Sequence, residues 1–424
     1  MSKVAILGAR HVARSAPFQE PPAIKAKPGL LKDLMTVTFL FVALRGALFG
    51  FNYVGRTMTQ PTIIPPPRPS NLSLYWDGWI RWDAGWFMTV VKNGYFFKAK
   101  ELQAARSINE RNIYEMQAAL QAAASNVVFF PLYPYAIRAA IKLVGGRNHW
   151  VAGLAISNIS TVFGLFFMLR IARRYLDEEG ARRSLVYLLL FPSSFFFSSY
   201  YSEGLFLLTT TASFYYFLER KYFLCGVWGF LAALTRNPGV LLFPSFVLGY
   251  LWNNQGKITR EDVRAIWLLL IPCGLLTFMV VLYLRVGDPL AFVHAQAAWY
   301  RKPSFPLQTL WEAFRAAFWS VPHHADQWIH IMNLVSSVSF LILPFFLLGR
   351  FNKSLAIFSL LVILMPLSTS LVVSMMRYAL SAFPVFFVLA KFGENRNVDR
   401  IIVSLSSLFL GLLNLGFANV YSIF

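Results

Sequence analysis

The chain has 424 residues and a formal net charge of +20, from 39 Lys and Arg against 19 Asp and Glu. Hydrophobic residues make up 57% of the chain and charged residues only 14%, whereas a soluble domain usually carries about 25% charged residues. So much apolar surface cannot be buried in a water-soluble core, which excludes a soluble nucleic-acid-binding protein and also excludes intrinsic disorder. The composition predicts an all-α, multi-pass membrane protein whose basic residues lie in loops.

The N-terminal 32 residues are basic and contain no apolar run long enough for a signal peptide. We expect residues 1–32 to form a cytoplasmic tail, followed by a first apolar run that acts as an uncleaved anchor. Residues 33–424 are then expected to form a single transmembrane domain. Cys225 and Cys273 both lie in apolar runs, which favours a packing role over a disulfide framework or a metal site.

Apolar runs long enough to approach a bilayer crossing recur along the chain, since such a helix needs about 20 mostly apolar residues. We predict about eleven spans, at roughly 33–53, 150–171, 184–201, 203–218, 222–235, 238–252, 265–284, 328–348, 354–373, 377–391 and 401–421. The segment 127–145 could be either a further span or a helix that lies in the outer interface. Treating it as a helix in the outer interface keeps the basic cluster at 170–183 in the cytoplasm, as the distribution of positive charge in short loops favours.

This topology leaves two long outer loops, 54–149 and 285–327, with the N-terminus in the cytoplasm. The first loop opens with a proline-rich passage that cannot be a regular helix. It continues through a Trp-rich amphipathic stretch at 76–95 and a polar, Ala/Gln-rich helix over about 99–124. We therefore expect interfacial helices in this loop.

Three acidic residues stand in apolar surroundings. Asp77 and Asp83 lie among tryptophans in YWDGWIRWDAGWF, where poor solvation raises the proton affinity of a carboxylate and suits it to general-base work. The alternative for either is a helix cap or a partner for Arg81. Glu203 stands where two predicted spans meet the outer surface, and an ionisable group at that depth is a functional candidate, or else a carboxylate favoured by a helix N-terminus.

Three arginines are predicted to lie on the outer side, against the positive-inside trend: Arg236 in ALTRNPG, Arg301 in AAWYRKPSFP and Arg377 in SMMRYALSAFP. A guanidinium fork matches phosphate oxygens, although contact with lipid headgroups is an alternative for each. The tryptophans of 76–86 can equally form an interfacial belt. The sequence has no phosphate-binding Gly loop and no HExxH, so ATP, NAD and zinc are not indicated, and we expect His323, His324 and His330 to be solvated.

Six segments, taken in order, resemble the PIG-V-type mannosyltransferases, a family in the GT-C class of integral membrane glycosyltransferases. They are WDAGWFMTVVKNGY (82–95), FFPLYP (129–134), PSSFFFSSYYSEGLF (192–206), LTRNPG (234–239), QAAWYRKPSFP (296–306) and MRYALSAFP (376–384). The resemblance extends from about residue 31 to 390. It implies a GT-C-type helix arrangement, an extracytoplasmic active site and a sugar donor carried on a polyprenyl phosphate, usually mannose on dolichyl phosphate in eukaryotes.

The same resemblance implies residue roles. Asp83 matches the catalytic carboxylate of the first outer loop, Glu203 occupies the place of the second acidic residue, and Arg236 and Arg377 match basic positions that suit phosphate. The other substrate-binding candidates are Arg301, Trp82, Asp77, Gln296 and Trp299. Some relatives carry acidic residues before FFPLYP, where this chain reads AAASNVV, so that role does not transfer. No metal site and no cofactor is assigned, although a divalent cation is compatible with the chemistry.

The sequence thus predicts a glycosyltransferase that moves a sugar, mannose by the resemblance, from a polyprenyl-phosphate donor to an acceptor hydroxyl outside the membrane, with inversion. The acceptor is open: a glycan, a glycolipid or a protein. Membrane lipids are expected partners and nucleic acid is not. The alternatives are a transporter or flippase of lipid-linked sugars and a non-catalytic partner with the same fold. The chain length favours a bacterial plasma membrane, whereas a eukaryotic relative would lie in the endoplasmic reticulum.

Overall fold

The computed structural model describes residues 29–58, 74–108, 113–146, 148–253, 255–256, 260–319, 327–349 and 351–421. Most of the basic tail, the proline-rich passage and the pair His323 and His324 lie outside the described residues. Within them the protein is almost entirely helical, and its only β-pairing is an isolated bridge between Pro303 and Thr369. The predicted all-α class is confirmed.

The α-helices, in chain order, are α1 (Leu30–Met58), α2 (Leu74–Asp77), α3 (Asp83–Asn93), α4 (Ala99–Arg106), α5 (Ile113–Ala122), α6 (Leu132–Val144), α7 (His149–Ala172), α8 (Glu178–Leu190), α9 (Glu203–Leu218), α10 (Tyr222–Thr235), α11 (Leu242–Asn253), α12 (Leu270–Val286), α13 (Ala291–His294), α14 (Pro306–Phe318), α15 (Gln327–Ile342), α16 (Lys353–Leu367), α17 (Met375–Ser381), α18 (Val385–Phe392) and α19 (Arg396–Ala418). Short 3₁₀ helices cover Asn126–Val128, Ser194–Phe197, Asn237–Leu241, Arg260–Leu269, Ala295–Trp299 and Leu343–Leu347.

Five helical segments of the described chain are long and apolar enough to cross a membrane: Leu30–Met58, His149–Ala172, Val263–Val286, Gln327–Leu347 and Arg396–Ala418. A sixth candidate is the pair α17 and α18, which is bent by 89°. Shorter apolar helices, among them α10 and α16, pack between these segments. The protein therefore has the helices of a multi-pass membrane protein, while the count of eleven spans stays a prediction.

The predicted span at 184–201 is wrong as a continuous helix, because α8 ends at Leu190. Phe191 is extended (φ −55°, ψ 139°), as expected for a residue before a proline, and Pro192 has no N–H to continue the ladder. Ser194 and Ser199 then turn their hydroxyls onto the backbone carbonyls of Leu189 and Phe195. The result is a buried, irregular segment that leads to the start of α9.

The predicted helix over 99–124 is also divided, into α4 and α5. α4 ends at Arg106, and Ser107 donates its hydroxyl to the carbonyl of Ala104. The two helices pack on each other, and their apolar faces form a small cluster in which Leu102 and Leu120 meet Ala298. Folding back into a hairpin buries these side chains, which one straight helix would leave exposed.

The predicted interfacial helix within 127–145 is α6, which begins after Pro131 and ends at Gly145. Its 13 residues span about 20 Å at 1.5 Å per residue, which is too short to cross a bilayer. Gly145 has φ +66°, a left-handed conformation that ends helices without strain in glycine. Placement of α6 in the outer interface stays a prediction.

Close helix contacts bring α9 to the centre of the fold, between α7 and α10. At Gly204 a Cβ atom would overlap the backbone carbonyl of Ser157 on α7, so the two helices approach closely because this residue has no side chain. Gly164 on α7 likewise allows the close approach, because a Cβ there would lie 2.9 Å from the backbone nitrogen of Leu208 on α9. This contact holds the N-terminal end of α9, where Glu203 lies.

Candidate active site

Four predicted site residues meet where four helix ends converge. Asp83 is the first residue of α3 and Glu203 the first of α9. Arg236 directly follows α10, and Arg377 is the third residue of α17. Asp83 and Arg377 are 294 positions apart in the chain, so only the tertiary fold brings them together.

Arg377 joins the two carboxylates. Its Nη1 donates to Asp83 Oδ2 at 2.8 Å, while Nη2 and Nε donate to Glu203 Oε1 at 2.7 and 3.0 Å. The guanidinium carbon lies 4.6 Å from the ring centroid of Phe196 and 4.9 Å from that of Tyr201. Charge pairing on one side and aromatic faces on the other hold this arginine in one position.

Glu203 is the buried member of the cluster, with only 2% of its side chain exposed. Its Oε1 also accepts a hydrogen bond from Nη1 of Arg236, so one oxygen holds both guanidinium groups. A buried charge is costly unless it is paired, and here two arginines compensate it. Within the described part of the chain Oε2 has no hydrogen-bond partner. This geometry suits Glu203 to orienting the arginines.

Asp83 is held by an unusual backbone turn. The preceding residue, Trp82, has φ +54° and ψ −113°, a conformation that side chains with a Cβ rarely adopt. The hydroxyl of Tyr201 accepts from the Asp83 N–H at 3.1 Å and donates to the Arg81 carbonyl at 2.9 Å. Tyr201 thus bridges both sides of the strained residue. The Asp83 side chain remains 25% exposed, and only its Oδ2 is hydrogen-bonded by the described residues.

Arg236 and Arg301 keep donors that no described residue uses. Arg236 donates through Nη1 to Glu203 and Ser202, whereas its Nε is buried without a partner. Arg301 donates from Nη1 to Thr369 Oγ1 at 3.0 Å and from Nη2 to the Val373 carbonyl at 3.2 Å. Arg301 and the four clustered residues together set three guanidinium groups against two carboxylates, an excess of positive charge suited to an anion.

These residues border a cavity of about 430 Å³. Asp83, Arg236, Arg301 and Arg377 line its polar part, with Glu203 behind the arginines. The other walls are mainly apolar and aromatic, and they include the predicted residues Trp82, Gln296 and Trp299 together with Phe87, Phe129, Phe130 and Tyr300. The cavity thus has a charged end and an apolar, aromatic wall.

Asp77 does not line this cavity. Its carboxylate accepts hydrogen bonds from Arg56 Nη2 at 2.8 Å and from Arg81 Nη1 at 3.1 Å, and all three side chains are buried. The pairing with Arg81 is the alternative that the sequence left open. The neighbouring Trp79 is fully buried and stacks on Phe49 with 4.1 Å between ring centroids, so it belongs to the core.

Sequence reasoning singled out the charged residues and missed their aromatic and hydroxyl support. Tyr201 and Phe196 belong to the PSSFFFSSYYSEGLF segment, but nothing local indicates that they face Arg377. A signal was available in the serines and tyrosines of this apolar run, since buried hydroxyls must find partners. Among the described residues, no group of three His, Cys, Asp or Glu side chains could hold a metal ion.

No family model matches the chain, and no curated protein matches it. The chain is similar to the crystal structure of ArnT from Cupriavidus metallidurans bound to undecaprenyl phosphate, with a TM-score of 0.47 and 13% sequence identity. The match covers 84% of this chain and 60% of that one, so the chain spans about three fifths of the length of ArnT.

Proposed function

We propose that this protein is a membrane glycosyltransferase of the GT-C class that uses a polyprenyl-phosphate sugar. The observation that carries the proposal is the cluster Asp83–Arg377–Glu203–Arg236 at the charged end of an aromatic cavity. Sugar transfer from a lipid phosphate needs a base for the acceptor hydroxyl, an anion site for the phosphate and an apolar surface for the lipid, all in one place. The cavity supplies all three.

The proposed reaction is a single displacement at the anomeric carbon. Asp83 takes the proton of the acceptor hydroxyl through Oδ1, while Arg377 holds Oδ2. The acceptor oxygen then bonds to the anomeric carbon as the bond from that carbon to the phosphate oxygen breaks. The electron pair stays on the phosphate, which leaves as a stable anion, so no acid is required. Attack from the opposite face inverts the anomeric centre.

The leaving phosphate is assigned mainly to Arg236, with charge from Arg377 and Arg301. Arg236 lines the cavity and bonds Glu203 and Ser202 only through Nη1, which leaves its Nη2 available to a phosphate oxygen. Glu203 holds Arg236 and Arg377 at a fixed separation before substrate binds, so their orientation is set in advance. We therefore assign Glu203 a positioning role and Asp77 a structural one.

The apolar wall is assigned to the sugar and the first isoprene units. Aromatic faces such as Trp82 and Trp299 pack against sugar rings, and burial of the lipid contributes about 0.8 kcal/mol per CH₂ before entropic losses. The resemblance to PIG-V-type enzymes favours mannose as the sugar and an extracytoplasmic site. The eleven membrane spans and the location in a bacterial plasma membrane are further parts of this proposal.

The proposal can be tested with membranes that contain the full-length chain and radiolabelled polyprenyl-phosphate mannose. We expect labelled product in the wild type and a loss of about 10²–10⁴-fold on Asp83→Asn, the usual contribution of a positioned base. The matched control is Glu312→Gln, an exposed residue on α14 outside the cavity. A purified Asp83→Asn protein should still fold and bind polyprenyl phosphate, because Arg377 keeps its ion pair with Glu203.

Near-normal transfer by Asp83→Asn would remove Asp83 as the base. Movement of intact polyprenyl-phosphate mannose between leaflets, without transfer, would instead identify a transporter. Binding without either activity across several sugar donors would identify a non-catalytic protein. In each of these cases the proposed reaction is refuted.

A further inference from the structure

A second cavity of about 510 Å³ lies between α6 and α12, apart from the proposed active site. Arg138 and Lys142 contribute to it from α6, and Arg285 from the last turn of α12. No acidic side chain lines it. We call it the basic groove.

The three cations of the basic groove have no carboxylate partner among the described residues. Arg138 is fixed in place, because its Nε donates to the Val91 carbonyl at 2.6 Å and its Nη2 to the Val90 carbonyl at 2.7 Å, near the end of α3. Lys142 and Arg285 are exposed, and their side chains make no hydrogen bond or ion pair within the described chain. Three like charges around one cavity repel each other, so an anion bound between them is stabilising.

Both helices that form the groove carry exposed apolar side chains. Leu284, which lines the groove, is 74% exposed, and Leu143 and Val144, which follow Lys142 on α6, are 86% and 84% exposed. Large exposed apolar side chains beside a cluster of cations are unfavourable in water. They suit the acyl chains of a lipid, whose headgroup would then reach the three cations.

The groove and the active-site cavity are joined by α12 and the chain that follows it. α12 ends at Val286, and Phe292, which lines the cavity, follows six residues later. Phe130, which lines the active-site cavity and precedes α6, packs on Phe278 of α12 with 4.6 Å between the ring centroids. The groove therefore lies at one end of a candidate membrane span, at the level where headgroups are expected.

We propose that the basic groove binds the headgroup phosphate of an anionic membrane lipid, with its acyl chains along the exposed face of α12. Arg138 and Arg285 hold the phosphate oxygens, and Lys142 adds a point charge. This site is independent of the proposed transferase activity.

Native mass spectrometry of the full-length protein in detergent can test the site with two lipids of identical acyl chains. We expect phosphatidylglycerol to bind more tightly than phosphatidylcholine, whose headgroup carries no net charge. Lys142→Gln with Arg285→Gln should weaken phosphatidylglycerol binding by about thirtyfold and leave phosphatidylcholine unchanged, since each basic residue near a lipid surface contributes about 1 kcal/mol. Both residues are exposed, so the variant should unfold at the wild-type temperature.

The matched control is the pair Arg264→Gln and Arg400→Gln, exposed arginines that remove the same charge elsewhere. An equal loss in this control, or an unchanged affinity in the groove variant, would overturn the proposal. Soluble glycerol phosphate provides the third arm. Its failure to displace the lipid supports a lipid site, whereas displacement at equal concentration would identify a site for free phosphate and refute the lipid assignment.

Discussion

The buried pair of Arg377 and Glu203 allows a quantitative test of how the site is held together. The perturbation is a double-mutant cycle of Arg377→Met, Glu203→Gln and the two combined. Methionine keeps the apolar stem of the arginine without its charge. Glutamine keeps the shape of the glutamate. The cycle isolates the interaction between the two side chains from the effect of each on the rest of the protein.

The expected magnitude follows from burial and distance. Glu203 Oε1 lies 2.7 Å from Arg377 Nη2, and the two side chains are 2% and 11% exposed. Removing one partner of a buried pair costs about 3–5 kcal/mol, because the other charge stays buried. Arg236 remains bonded to Glu203 in Arg377→Met, which places this variant near the lower end of that range. The double variant should be destabilised by about 2 kcal/mol less than the sum of the single variants.

The assay is unfolding of purified protein in mixed detergent with increasing dodecyl sulfate, followed by tryptophan fluorescence. A parallel cycle on Glu312 and Arg315, a half-exposed pair at 3.3 Å on α14, provides the control and should show a coupling below about 0.5 kcal/mol. If the effects at Arg377 and Glu203 simply add, or if the exposed pair couples as strongly, the buried cluster does not have the energetic role that its geometry indicates.

Three further predictions concern the turn, the second carboxylate and the topology. Tyr201→Phe keeps the ring under Arg377 but leaves the backbone groups on either side of Trp82 unpaired. The rate of transfer should then fall about tenfold through a lower kcat, and a change in KM alone would contradict this. Asp77→Asn should destabilise the fold by about 3–5 kcal/mol, because two buried arginines lose their carboxylate, while transfer per folded molecule persists. Unchanged stability together with lost transfer would instead assign Asp77 a role in substrate binding. The orientation can be tested in a Cys273→Ser background, which removes the exposed cysteine and keeps the buried Cys225. An impermeant maleimide should label the Lys100→Cys variant from outside and the Glu178→Cys variant only after permeabilisation, and reversal of either result refutes the orientation.

The meeting of the four charged residues could be expected from the sequence on energetic grounds. Asp83, Glu203, Arg236 and Arg377 each stand in an apolar segment, where a lone charge is costly. Carboxylates and guanidinium groups in such segments are stable only when they pair. Residue type and local apolarity were therefore enough to select candidates that the fold brings together, although their catalytic roles stay a proposal.

The difference between Asp77 and Asp83 could not be read from the sequence. Both follow a tryptophan in the same segment, six positions apart. What separates them is the identity of distant neighbours: Arg56 on α1 reaches Asp77, and Arg377 on α17 reaches Asp83. The supporting hydroxyl of Tyr201 is equally non-local, since it is 118 positions from the backbone N–H that it accepts from.

The sequence by itself determined the helical class, the apolar segments and the list of charged candidates, because composition and hydrophobic length act locally on each stretch of chain. The tertiary structure decided where helices stop and which charges share a cavity. Pro192 marks the end of α8 locally, but the segment after it is held by distant partners: Arg45 donates to the Ser194 carbonyl, and Ser193 donates its hydroxyl to the Met376 carbonyl. In the same way, Ala298 completes the cluster on which α4 and α5 fold back. These contacts join residues far apart in the chain, so no local pattern contains them.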